Sequence, residues 1–429
     1  MAVLMASVFA VSMGYGVVLP LLPYLIERLL GESGDAAQVA QSTGMLTGLY
    51  MLSLFLFAPL WGRLSDRFGR RTILVIGLTG FSATMTTFAF IETLAAVYAE
   101  RFLSGMFAAA VTPVALAAIG DIAATEESRA RRLTFVSLAG VAGFLLGPML
   151  GVFIARGAAG ILPETSSTGS LAFPLAATAI LALILAATAV RLLPQAKETT
   201  LAVKQDPDPI QTVRTLMPRM LVLAFIVSAA IGVFEVGVAL RGKQELVLTQ
   251  YQVAAMFTEC SLVMIIVQAI VFSPWIKTET TRWFITPALA ILAIGLFLVP
   301  RADDFAMMLI VVGAVAASAG IVSPILTYWI SSKAGHAQGS QLGKQTAAAS
   351  LGAATGSAAG GLLFNVTWLP NASFVLITGL TAVGFSISLA LPKMLMKLRY
   401  DDTDSMPDVP FESAPLRRPN LESHALTHQ

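Results

Sequence analysis

The sequence predicts an all-α membrane protein, with twelve transmembrane helices arranged as two pseudo-symmetric six-helix bundles. Three observations predict it. The 429 residues are 56% hydrophobic and 12% charged, with a mean hydropathy of +0.78, whereas an ordinary soluble domain carries about 25% charged residues. Apolar runs near the roughly 17 to 25 residues that cross a bilayer as a helix recur twelve times. Residues of the first half also return in the second at a shared spacing.

The runs are bounded by charges or by Pro and Gly clusters. They lie near residues 3–26, 43–62, 72–92, 95–119, 133–155 and 171–192, then near 219–240, 252–275, 283–300, 305–331, 343–364 and 370–395. The stretch from Pro194 to Pro218 is polar and proline-broken, so 194–218 is read as a cytosolic linker between bundles 1–193 and 219–397. Residues 398–429, rich in Asp, Pro and Ser, lack the apolar content to fold and are expected to be a disordered cytosolic tail. The N-terminus is apolar from Met1, without the basic region and cleavage site of a secretory signal, so the first span is expected to stay in the mature protein.

Basic residues set the expected orientation. Arg63, Arg67, Arg70 and Arg71, then Arg129, Arg131 and Arg132, and later Lys277, Arg282, Lys333 and Lys344 fall on one side, which is read as the cytosol. The opposite loops hold only Arg28, Arg156, Arg241, Lys243 and Arg301. An even span count then puts both termini inside. The repeat supports the two halves independently of hydropathy. Ser137-Leu138, Gly143 and Gly147 recur as Ser350-Leu351, Gly356 and Gly360 at one offset, while Pro113 and Pro59 recur as Pro324 and Pro274 at nearly that offset.

Composition also narrows function. A net charge of +2, with charges gathered in loops, offers no nucleic-acid surface. The single cysteine, Cys260, rules out an intramolecular disulfide, and three histidines in a loop and the tail form no metal-ligand spacing within the spans. No cofactor, no metal and no enzymatic constellation is expected.

Several motifs carry mechanism. Gly62-Arg63-Leu64-Ser65-Asp66-Arg67-Phe68-Gly69-Arg70-Arg71 places five charges between two apolar runs and reads as a tight basic loop, with Gly62 and Gly69 allowing close approach and a sharp turn. Asp66 can accept hydrogen bonds at a helix N-terminus or pair with arginine. Arg101 lies about six residues inside its run, roughly 10 Å deep, a costly position unless it meets a partner or a watery cavity. In the fifth run Gly143, Gly147 and Gly151 stack on one helical face, where small residues let another helix approach, and Pro148 bends the helix.

A proton-driven carrier needs a carboxyl that can be neutralised and recharged inside the membrane. Glu235 and Glu259, at matching depth on consecutive spans, are the two acids placed for this. Arg101 would tune a nearby carboxyl. Tyr15, Met106, Phe107, Phe234, Met256, Phe257, Tyr328 and Trp329 are the expected lining of a pocket for a greasy or amphipathic solute.

The decapeptide 62–71 resembles the signature loop between helices 2 and 3 of the major facilitator superfamily. Arg101-Phe102-Leu103-Ser104-Gly105 resembles that family's arginine motif in helix 4, and Gly14-Tyr15-Gly16-Val17-Val18-Leu19-Pro20 resembles first helices of its twelve-span drug:proton antiporters. Gly143-x-x-x-Gly147-Pro148-x-x-Gly151 resembles the motif that separates its proton-antiport exporters from importers, departing at Val152 where a second glycine is common. The resemblance covers residues 1 to about 397.

The family implies a fold of two bundles rocking about a midplane site. It implies a charge latch of Asp66 and Arg70, with Asp121 as Arg70's partner and Gly62, Gly69 and Arg71 as its frame. It also implies proton-coupled antiport of a small apolar or amphipathic compound, as in multidrug efflux, by a monomer in a bacterial inner membrane. The second-half loop from Ser273 to Arg282 lacks the glycines and aspartate of the pattern. A proton symporter importing a small metabolite, and a non-transporting receptor on the same fold, are the alternatives.

Overall fold

A computed structural model describes residues 1–31, 35–122, 126–161, 167–193, 211–271, 273, 276, 278–333, 338–366, 369, 371–392 and 394–395. The described residues form twelve helical rods. In the first half, the first rod is α1 (Ala2–Val18), a 3-10 turn at Leu19–Leu21 and α2 (Leu22–Leu30); Pro20 and Pro23 break its hydrogen-bond ladder. The second and third are α3 (Ala36–Phe68) and α4 (Arg70–Phe88). The fourth is α5 (Leu94–Ala108) with α6 (Thr112–Ile122), interrupted just before Pro113. The fifth and sixth are α7 (Glu126–Ile161) and α8 (Ser167–Leu192).

The second half holds α9 (Gln211–Gln244), α10 (Gln250–Val271), α11 (Ile285–Leu298) between 3-10 turns, α12 (Phe305–Lys333), α13 (Gln338–Leu362) and α14 (Ala372–Ser388). Eight of the twelve rods are long and apolar enough to cross a membrane. Apolar stretches Phe135–Gly151 and Ala372–Ser388 are shorter. α13 is long but rich in Gly, Ala, Ser and Thr, because it is wedged against both α9 and α3, where small side chains permit close backbone approach.

Packing repeats across the halves. α1 lies on α7 as α9 lies on α13; α4 on α8 as α11 on α14; α3 on α5 as α10 on α12. The halves meet through α3 with α13 and through α7 with α10, again a matched pair. The repeated glycines have repeated roles: a side chain on Gly143 would strike the Phe9 carbonyl of α1, and one on Gly356 the Ala229 carbonyl of α9. Large apolar side chains such as Ile184, Ile266, Ile310 and Leu376 face outward, as a lipid-facing surface requires. Some buried hydroxyls turn back on their own helices, Thr43 to Val39 O at 2.7 Å and Ser261 to Phe257 O at 3.0 Å, while Ser82 of α4 donates to Ala179 O of α8 at 2.7 Å.

Two expectations need correction. The tight loop expected over 62–71 is mostly helix: α3 continues to Phe68, and the chain breaks only at Gly69, whose φ of 89° favours glycine. Hydropathy marks where lipid ends, and a helix can continue into the polar layer. Gly62 is consequently mid-helix, and a side chain there would meet nothing within 4 Å. Likewise α9 begins at Gln211, inside the stretch expected as linker, with Pro218 within the helix. Residues 194–210 and the tail from 396 lie outside the described residues.

Candidate functional site

A cavity of about 230 Å³ lies between the halves, near the lower end of small-molecule pockets, which run to about 300–1,000 Å³. The first half contributes Tyr15 from α1 and Gly140, Val141 and Phe144 from α7. From the second half come Ile231, Phe234 and Glu235 of α9 and Phe257, Cys260 and Met264 of α10. Val315, Ala316 and Ala319 of α12 complete the wall. Glu235 is the one carboxylate in an otherwise apolar, aromatic lining.

Glycines place the two polar residues. Side chains on Gly14 and Gly16 would collide with the Phe81 ring and the Phe144 carbonyl, each at 2.6 Å, so α1 sinks between α4 and α7 and Tyr15 is turned into the cavity. On α9, Gly232 sits 2.6 Å, by the same measure, from the Ala353 carbonyl of α13. That contact fixes one face of α9 and leaves Phe234 and Glu235 facing the cavity. Tyr15 donates its hydroxyl proton to Glu235 Oε2 at 2.7 Å, a hydrogen bond that joins one half to the other. Its ring is stacked on Tyr50 at 5.1 Å and on Phe144 at 5.6 Å.

Arg101 meets a partner that sequence reasoning misses. Its Nε and Nη2 donate to Glu100 Oε2 and Oε1 at 2.6 and 2.9 Å, and the two side chains are only 2% and 3% exposed. The guanidinium lies 5.6 Å from the Tyr50 ring centroid and 4.7 Å from that of Phe88. Arg101 therefore tunes no cavity carboxyl by direct contact; it reaches Glu235 through stacked rings, Arg101 to Tyr50 to Tyr15. Opposite charges side by side in an apolar run are the available signal for Glu100, whereas nothing in the sequence singles out Tyr50.

Breaking such a pair is costlier than deleting it. Glu100→Gln is expected to destabilise the protein by about 3–5 kcal/mol by leaving an unpaired buried cation. The double replacement Glu100→Gln, Arg101→Met should restore much of that loss, read as thermal unfolding in detergent.

Of the eight expected lining residues, Tyr15, Phe234 and Phe257 face the cavity. The other five are corrections. Phe107 lays its ring over Gly80 of α4, and Met106 packs where its carbonyl accepts from Trp61 Nε1 at 2.8 Å. Met256 is fully buried against Gly242 of α9 and is not among the residues that line the void. Tyr328 is turned outward, and Trp329 donates to Thr281 Oγ1 at 3.2 Å. Residue type says nothing of direction around a helix. Glu259 is corrected as well: it is half-buried against Gly313 of α12 and lines no part of the cavity.

In the latch motif, Arg70 pairs with Asp66 at 2.6 Å across the Gly69 break and donates to Ser65 Oγ at 2.5 Å. Arg71 donates to the Leu193 carbonyl at 3.4 Å. The side chain of Asp121 lies outside the described residues. Gly147 approaches the Met13 carbonyl and Gly151 the Val17 side chain, so the Gly143, Gly147, Pro148, Gly151 stripe is the seam on which α1 rides.

The halves are tied at the opposite, arginine-poor end. Lys243 pairs with Glu27 at 2.5 Å, Tyr24 donates to the Leu248 carbonyl at 2.7 Å, and Gln244 donates to the Ala36 carbonyl at 2.9 Å. This conformer is therefore closed at that end.

A family model described as Major Facilitator Superfamily matches residues 4–357. The chain belongs to the major facilitator superfamily. Within it, the chain is 28% identical over 396 residues to Multidrug resistance protein 1 of Bacillus subtilis strain 168, covering 91% of this chain and 95% of that one. It is 26% identical to Multidrug resistance protein 2 of the same strain, covering 88% and 92%. It is 24% identical to the quinolone resistance protein NorA of Staphylococcus aureus strain MRSA252, covering 93% and 98%.

Among solved structures, a D-xylose–proton symporter superposes with a TM-score of 0.70 at 15% identity, covering 91% of this chain and 97% of that one. The human organic anion transporter MFSD10 gives 0.66 at 19%, covering 90% and 98%. At these identities the superfamily fold is what the structures share with this chain. As a member of the superfamily the protein is integral to the membrane and built to carry small molecules.

Proposed function

We propose that this protein is a proton-coupled antiporter that exports small apolar or amphipathic compounds by alternating access, with Glu235 as the group for which proton and cargo compete. One observation supports the proposal: a single carboxylate among the residues lining an apolar cavity between the two halves, hydrogen-bonded across them by Tyr15. A carboxyl there can hold one proton or face one cargo cation, and loading either changes the bond that ties the halves. Relatives named for multidrug and quinolone resistance, and the α7 glycine seam, support the outward direction.

The same proposal takes the arginine-rich ends and both termini as cytosolic in a bacterial inner membrane. The tied, arginine-poor end is then the closed outer gate. It takes 194–210 as the join between the bundles, 398–429 as a tail, and a monomer as the working unit. Import of a sugar or other polar metabolite is poorly served by a lining whose polar groups are Glu235 and the Tyr15 hydroxyl.

In energised inverted vesicles, adding a hydrophobic dye such as ethidium is expected to release protons from the lumen as the dye accumulates inside. Dye accumulation that ignores a collapsed proton gradient would refute antiport.

A further inference from the structure

α10 has two opposed faces. Phe257, Cys260 and Met264 line the central cavity, while Ala255, Leu262, Ile266 and Ile270 are exposed on the opposite side, where a spanning helix meets lipid. Glu259 belongs to the outward arc, at the seam where α10 packs on α12, nine residues or about 14 Å along the helix from Gln250. Its Oε1 occupies the notch left by Gly313, 3.2 Å from where a side chain there would begin, and its buried Oε2 has no hydrogen-bond partner. Neither 250–271 nor 305–332 contains an arginine or lysine, so the two helices of the seam offer no countercharge. Outside the notch lies Ile310, 74% exposed.

A carboxylate kept at this depth without a partner would be stabilised by a ligand that brings its own charge through hydrocarbon. The geometry points to a lipid-facing docking site at the Glu259–Gly313 notch for lipophilic organic cations dissolved in the bilayer, separate from the central cavity. The half-buried Glu259 carboxylate meets the cationic head, and Leu262, Ile266 and Ile310 take the apolar body. Residue 259 adjoins Cys260 of the cavity wall, so a cation docked here waits one helix width from the void. The site rests on the export proposal only for the fate of the cation once it has docked.

The test reads binding without transport. Wild-type protein in proteoliposomes is titrated with trimethylammonium-diphenylhexatriene, a membrane-resident cation, by energy transfer from tryptophan, with tetraphenylphosphonium as competitor and neutral diphenylhexatriene as control. Saturable, competed transfer is expected for the cation. Glu259→Gln, and Gly313→Leu, which fills the notch, should each weaken it about tenfold, the scale of one lost charge contact. The neutral probe should report all proteins alike.

Cation transfer unchanged in Glu259→Gln would overturn the site. So would equal loss of the neutral probe. A Glu235→Gln protein that still exports against a gradient would instead sink the antiport proposal and leave this site standing.

Discussion

Replacing Glu235 with glutamine is expected to abolish export driven by a proton gradient, with turnover of a hydrophobic dye falling by about 100-fold or more, a barrier increase of about 2.7 kcal/mol. The amide has nearly the shape of the acid and can still accept from Tyr15, so the cavity should survive. It lacks only a proton to release. Tyr15→Phe keeps the ring on Tyr50 and Phe144 but removes the 2.7 Å hydrogen bond between the halves. It should cost less, about tenfold in turnover or about 1.4 kcal/mol, in the range of one hydrogen bond to a charged group. Initial rates in proteoliposomes, with dye affinity measured separately, distinguish lost coupling from lost binding. Gradient-driven pumping by Glu235→Gln at the wild-type rate would remove Glu235 from the mechanism.

Glu235 is legible in the sequence alone, because an acid inside an apolar run is conspicuous and only two such acids lie in the middle of the second half's spans. Its twin Glu259 reads the same way and lies on the other side of its helix. Depth follows from position along the sequence, but the angle around the helix depends on which neighbours pack where. The same limit explains Phe107, Met256 and Tyr328, whose types suit a greasy pocket and whose directions do not. The count of spans and the pairing of halves are legible because lipid imposes length and polarity on every span. The break at Gly69 is not, since hydropathy registers the edge of the hydrocarbon while the helix runs on for the length of its backbone ladder. The Arg101–Tyr50–Tyr15 stack joins three distant segments and has no local signature.

The second large effect concerns stability. Gly143→Ala and Gly356→Ala each put a methyl group where a carbonyl of the facing helix already lies, at Phe9 and Ala229. Overpacking of this kind costs about 1–3 kcal/mol, and the pseudo-symmetry predicts that the two losses are similar in size. Both seams are helix on helix with no flexible side chain to give way, so α1 or α9 must shift bodily. Gly62→Ala is the contrasting case, because nothing lies within 4 Å of the new methyl group. It should be neutral, or stabilising by up to about 1 kcal/mol from improved helix propensity. Thermal unfolding of the three purified variants in one detergent settles the comparison; a Gly62→Ala protein as unstable as Gly143→Ala would mean that the signature glycine packs against something in another conformer.

The most direct measurement of the central claim is proton release on binding. Purified protein in a weakly buffered detergent solution is mixed with a saturating hydrophobic cation such as tetraphenylphosphonium, and the pH is followed with an indicator. If cargo and proton compete for Glu235, wild-type protein releases protons in step with saturation and Glu235→Gln binds the cation while releasing none. Saturable binding by the wild type with no proton release at any starting pH would contradict the account.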